Sequence, residues 1–182
     1  MRVIAGIYKG RKLTPPKDDR VRPTTDRVKE AMFNLIAPYV PGANVLDLFA
    51  GSGALGIEAL SRGAARVWLC DVETELTKAN LSLLNIRENA TVLRGDWRGA
   101  VGKIHEKIDL VLVDAPYDLC EHYATVLETL AASGALAEGA HAVIERDAKR
   151  DGYLQALPAA FALEKTRRYG KTAVDVLRTE GD

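Results

Sequence analysis

From residue 44 to residue 146, short apolar runs alternate with longer stretches of mixed character. This alternation limits the fold more than any other feature of the chain. The runs are NVLDLF at 44–49, RVWLCD at 66–71, ATVLRG at 90–95, KIDLVLVD at 107–114 and HAVIER at 141–146. Between them lie ALGIEALSRG, closed by Gly63, and residues 73–86, 97–105 and 121–132, all read as helices. Strands separated by helix-length segments must be joined by crossovers. The pattern therefore predicts an α/β fold, a Rossmann-like, mostly parallel doubly wound sheet. The tail FALEKTRRYGKTAVDVLR predicts two further strands meeting at Tyr169-Gly170, an antiparallel C-terminal hairpin.

The first 43 residues do not follow this pattern. Weak alternation over 2–14, with Gly10 between Lys9 and Arg11, predicts an N-terminal β-hairpin extension. Three prolines and several charges make 15–24 a loop. A helix then starts with Thr24 or Thr25 as N-cap and Asp26 in its first turn. Val28, Ala31, Met32, Leu35 and Ile36 form its buried stripe, and Pro38 and Pro41 end it. The expected division is a basic extension over 1–24 and one domain over 25–182.

Composition excludes several classes. With 182 residues, 47% hydrophobic and 27% charged, the chain can bury one α/β core and fits neither disorder nor a disulfide scaffold. No apolar run approaches the roughly 20 residues that cross a bilayer. The start, MRVIAGIYKGRKL, is charged too early for a signal peptide. A soluble, cytoplasmic protein is expected, and a monomer suits the size. Cys70 and Cys120 fit no metal spacing, and Cys70 in VWLC reads as core. His105, His122 and His141 form no metal-binding pattern, so no metal is expected. Formal charge is zero overall, but residues 1–42 carry nine Lys/Arg against four Asp/Glu. That excess fits either a footprint for phosphates or an ordinary solvated surface.

The sharpest motif is Asp47-Leu-Phe-Ala-Gly51-Ser-Gly53-Ala-Leu-Gly56, a G-x-G-x-x-G turn between the first core strand and a helix. Glycines there allow a tight turn and close approach to a ligand at the carboxyl end of the strand. Asp71 ends the next strand, where a carboxylate can accept bonds from ribose hydroxyls, and Gly95-Asp96-Trp97 follows the third. NAD and S-adenosylmethionine share the ribose–adenine half, so Asp71 does not separate them. Asp47 favours the second: a carboxylate is unwelcome beside a pyrophosphate and favourable beside a sulfonium and an ammonium.

The fourth strand ends in Leu112-Val113-Asp114-Ala115-Pro116-Tyr117, which resembles the (D/N)-P-P-(Y/F/W) motif of methyltransferases acting on base amines. With it the whole chain resembles the RsmD family, which methylates N2 of one guanine in 16S ribosomal RNA. The resemblance includes Arg2-Val-Ile-Ala-Gly6, Lys9-Gly-Arg-Lys-Leu13, Arg22-Pro-Thr-Thr-Asp-Arg-Val-Lys-Glu30, Leu46 to Gly56, Glu58 to Ala64, and Arg168-Tyr-Gly-Lys-Thr172. The Arg22–Glu30 string is the most specific part, since other Rossmann methyltransferases lack it. The resemblance implies a class I S-adenosylmethionine-dependent fold and a 16S rRNA substrate in an assembled or assembling small subunit.

It also implies the site. Asp114 and the Ala115 carbonyl accept the two amine protons, Pro116 completes the loop, and Tyr117 stacks on the base. Ala115 stands where the family usually has proline. The carbonyl remains, but the fixed φ of proline is lost, and a tolerated variant is expected. Asp47, Phe49, Gly51 and Gly53 go to the methionine end of the cofactor, Asp71 to the ribose, and Asp96 with Trp97 to the adenine. Thr25 is assigned to closure over the cofactor. Arg11, Lys12, Arg22, Arg27, Arg167, Arg168 and Lys171 are the candidate RNA contacts. Competing readings are adenine-N6 methylation of another nucleic acid, an NAD-binding oxidoreductase, and a non-catalytic RNA-binding module.

Overall fold

The computed structural model describes residues 1–16, 25–115 and 122–180. Among these, seven strands form one sheet in the order β3-β2-β1-β4-β5-β7-β6. The strands are β1 Asn44–Leu48, β2 Arg66–Asp71, β3 Ala90–Arg94, β4 Ile108–Val113, β5 Leu136–Asp147, β6 Phe161–Tyr169 and β7 Thr172–Thr179. β1 to β5 pair in parallel and β7 runs antiparallel to both β5 and β6. This is the doubly wound sheet with an antiparallel finish that the alternation predicts.

The buried strands carry side chains into two cores, one on each face, as successive residues must. Val45, Val67, Leu69, Leu110 and Leu112 pack under α1 (Asp26–Leu35), α2 (Ala54–Ser61) and α3 (Glu75–Leu83). Leu46, Leu48, Trp68, Val111 and Val113 pack under α4 (Trp97–Val101) and α5 (Tyr123–Ala132). Thr25 is the N-cap of α1, accepting from the Val28 amide at 3.3 Å, an arrangement worth about 1 kcal/mol. Its buried face is wider than the apolar stripe, because Lys29 and Phe33 are buried beside Val28 and Met32.

Three elements differ from the sequence expectation. The N-terminal hairpin is reduced to one antiparallel bridge, Arg2 to Lys12. Its backbone is drawn toward α2 instead: Ile4 and Ala5 donate to the Glu58 carboxylate at 2.8 and 3.0 Å, and Ile7 to the Ser61 carbonyl at 2.8 Å. α3 and α4 are shorter than 73–86 and 97–105, with Asn85 turned to φ 56° and Gly102 capping α4. β5 begins at Leu136 rather than 141, pairing with Ile108 before a register shift that Gly139, at φ 68°, accommodates. The predicted loop over 15–24 falls largely outside the described residues.

Candidate active site

β1 pairs with β2 on one side and β4 on the other, so the winding reverses there. Crevices at the carboxyl ends of strands at such a point are where α/β sheets bind ligands. The turn leaving β1 takes positive φ at Phe49 (63°), Gly51 (54°) and Gly53 (77°). For Phe49 this is a strained state, which persists only when the surroundings hold it.

They do hold it. The Gly51 amide donates to Asp71 Oδ2 at 2.7 Å, and Ala50 N to the Cys70 carbonyl at 3.0 Å. From α3, Thr77 Oγ1 donates to the Gly51 carbonyl at 2.8 Å and Asn80 Nδ2 to the Ser52 carbonyl at 2.9 Å. Thr77 and Asn80 are buried polar residues that sequence reasoning missed; a polar residue on a helix ordinarily reads as solvent-facing. A Cβ at Gly51 would come no nearer than 4.0 Å to any heavy atom of the described residues, which leave this backbone bare toward the crevice. Gly56 is different: a Cβ there would lie 2.8 Å from Leu69 and 2.9 Å from Val67, so this glycine lets α2 press onto the sheet.

Asp47 is fully buried one residue inside the strand tip, its Oδ2 accepting from Gly56 N at 2.8 Å. Its Oδ1 is buried without a hydrogen-bond partner among the described residues. Burial, helped by the charges of Asp114 and Asp71 and opposed by the Gly56 bond, pushes its carboxyl up to about 8. Those three acids converge on the same sheet end.

Asp71 also accepts from the Glu73 amide at 3.0 Å, and next to it Val72 is 63% exposed, an apolar surface at the crevice lip that the sequence reading did not single out. Asp96 caps α4 through the Arg98 amide at 2.9 Å and pairs with the Arg98 guanidinium at 3.3 Å. Trp97 is buried in the core under α4, with the Arg98 guanidinium 4.3 Å above its ring.

Asp114 is the first residue beyond β4. Val113 pairs with Leu48 on one side and Ile144 on the other, so Asp114 sits beside the start of the glycine turn and beside Glu145. It is half-buried, and Ala115 is buried against the core. Pro116 and Tyr117 lie outside the described residues, as does Arg22.

The candidate RNA contacts separate into groups. Arg167 and Arg168 on β6 and Lys171 in the β6–β7 turn are exposed at the same sheet end as Asp114, because Thr172 pairs with Asp147 at the end of β5. Ala148 N donates to the Lys171 carbonyl at 2.8 Å, which brings exposed Lys149 and Arg150 alongside. Arg27 is exposed in the first turn of α1, whose N-cap is Thr25. Arg11 and Lys12 lie elsewhere: Arg11 donates to the carbonyl of Leu83, at the end of α3 opposite the glycine turn.

A family model described as "Conserved hypothetical protein 95", that of the RsmD family, matches residues 1–178. The chain belongs to the RsmD family. Ribosomal RNA small subunit methyltransferase D of Escherichia coli strain K12 is 35% identical over 185 residues, covering 99% of this chain and 90% of that protein. Bacillus subtilis YlbH, provisionally named an rRNA methyltransferase, is 36% identical over 187 residues and the full length of both chains. The solved structure of yhhF from Escherichia coli superposes with a TM-score of 0.86 at 33% identity, covering 99% of this chain and 98% of that one. Likeness of that extent spans the N-terminal arm as well as the sheet, so the arm bound to α2 lies within the matched RsmD-family region.

Proposed function

We propose that this chain is an S-adenosylmethionine-dependent methyltransferase that modifies the exocyclic N2 amine of a guanine in 16S rRNA of the small ribosomal subunit. The observation that carries the reading is the group of acids Asp47, Asp71 and Asp114 around the glycine turn, with the buried Asp47 carboxyl, whose Oδ1 has no partner among the described residues, at its centre. A pyrophosphate would add to the repulsion among these acids. A ligand bearing a sulfonium and an ammonium relieves it. The donor set therefore fits S-adenosylmethionine and disfavours NAD.

In this reading Asp47, Phe49, Gly51 and Gly53 form the methionine side, and Asp71 takes the ribose. Asp96 and Trp97 flank the adenine, and Thr25 stands at the closing side. When bound, the cofactor supplies an electrophilic methyl group. The chain's own residues prepare the nucleophile. A guanine amine is weakly nucleophilic because its lone pair is delocalised into the ring. Asp114 and the Ala115 carbonyl each accept one amine proton, holding the nitrogen pyramidal and aimed; Tyr117 stacks on the base and Pro116 stiffens the loop. Arg167, Arg168 and Lys171 are the phosphate contacts at the sheet end of the site, Arg22 and Arg27 are two more, and Arg11 and Lys12 a more distant pair. The names of the relatives support rRNA as the substrate. Activity as a monomer in the cytoplasm belongs to the same proposal.

The test incubates the protein and labelled cofactor with small subunits from a strain lacking the corresponding gene, followed by nucleoside mass spectrometry. N2-methylguanosine is expected, and Asp114→Ala lowers its formation by about 100-fold or more, since both the amine acceptor and its charge are lost. N6-methyladenosine as the product would overturn the reading.

A further inference from the structure

The buried polar residues of the described chain include three linked groups. Lys29, Glu58 and Ser61 hold the N-terminal arm, while Asp47, Thr77 and Asn80 hold the glycine turn. The third group, Arg146 and Asp175, holds the chain leaving β5, where Arg146 Nη1 donates to the Asp147 and Ala148 carbonyls at 3.2 and 3.4 Å, and it is the most completely bonded. Asp175 Oδ2 accepts from Arg146 Nε at 2.5 Å and from the Tyr153 hydroxyl at 2.7 Å. Its Oδ1 accepts from Arg146 Nη2 at 3.2 Å and from Thr166 Oγ1 at 2.7 Å. Buried ion pairs add little net stability over well-packed apolar residues of the same volume, but they fix geometry where every member is bonded.

The geometry being fixed leads to the strand tip of the proposed site. Tyr153 packs edge-on against Tyr123, with ring centroids 5.3 Å apart and planes at 71°. Tyr123 is fully buried at the start of α5, and its hydroxyl donates to the Glu145 carbonyl at 2.9 Å. Glu145 follows Ile144, the partner of Val113, and so lies beside Asp114. Arg146 is the next residue of β5.

We propose that Tyr123, oriented by Tyr153 and the Arg146–Asp175 pair, is a positioning residue for Asp114 and the Ala115 carbonyl. It ties the helix that follows the motif to the strand that runs beside it. This clamp restricts the strand tip from outside, where proline at position 115 would restrict it from within. The inference rests on the proposed role of Asp114 as an amine acceptor.

Tyr123→Phe removes one hydroxyl and leaves the ring. The expected result is a kcat on small ribosomal subunits lower by about tenfold, with KM for S-adenosylmethionine within twofold, because alignment rather than cofactor binding is lost. Hydrogen exchange in peptides containing Asp114 and Ala115 rises, while that of residues 44–53 stays as in the parent. Ala115→Pro in the Tyr123→Phe background restores most of kcat. Tyr153→Phe, which leaves Asp175 three of its four bonds, shows the same signature in weaker form. A kcat unchanged in Tyr123→Phe, or unaltered exchange at Asp114, overturns the proposal even if the parent makes N2-methylguanosine. A parent that methylates no base while the exchange difference persists overturns the functional reading and leaves the clamp standing.

Discussion

A single carboxyl group records what the site is built to receive. Asp47 stays protonated to about pH 8 in the free protein, far above its ordinary value of 3.8. Between those values the folded state holds a proton that the unfolded chain releases. Stability from this group therefore falls as pH rises from about 4 to 8. A cationic ligand favours the ionised form, so its binding expels the proton and tightens as pH rises through that window. Calorimetry of S-adenosylmethionine binding in buffers of different ionisation enthalpy should show proton release near neutral pH, and Asp47→Asn should abolish it. Binding without proton exchange would remove Asp47 from the cofactor's electrostatics. Cys70 gives a contrast, since burial and the neighbouring acids Asp71, Asp96 and Asp47 push its thiol up to about 12 and make it inert, as its apolar run implies.

At the scale of elements, the N-terminal arm is part of the packed fold. Lys29 Nζ donates to the Arg2 carbonyl at 2.6 Å and lies 3.4 Å from Glu58, and burial lowers its pKa despite the pull of Glu58. A methyl group at Gly6 would sit 1.6 Å from the Ser61 carbonyl oxygen, at a φ of 81° that other residues resist. Gly6→Ala should therefore lift the arm, cost about 1–3 kcal/mol in denaturant unfolding, and deprotect the Ile4 and Ala5 amides. Unchanged stability would mean the arm is docked by other contacts.

These contacts show what could be read from sequence and what could not. The strands at 44, 66 and 107 were legible because buried parallel strands are continuous apolar runs, and the half-buried edge strand at 90 because it repeats their spacing. Asp71 and Asp114 were legible because each ends such a run, and Asp47 because it interrupts one just before the glycine turn. Lys29 was not, because a lysine within an amphipathic helix reads as solvent-facing until a buried glutamate 29 residues later is placed opposite it. Arg146 and Asp175 were hidden for a similar reason: their meeting depends on the β5–β7 register, which no local pattern encodes.

Across the whole molecule, charge is arranged by sheet end. Acids gather at the glycine turn, and exposed bases flank them at the β6–β7 turn and the loop after β5. Replacing Arg168 and Lys171 by alanine should weaken small-subunit binding without sequence preference. It should also flatten the dependence of log affinity on log salt by about one unit for each phosphate no longer neutralised. An unaltered slope would place the phosphate-binding residues elsewhere. The same topology governs the order in which the molecule can be finished. β7 is the last strand to be synthesised, yet it lies inside the sheet between β5 and β6. A nascent chain that has already made β1 to β6 still has an open seam, with Arg146 awaiting its counter-ion, and only arrival of the final strand closes it.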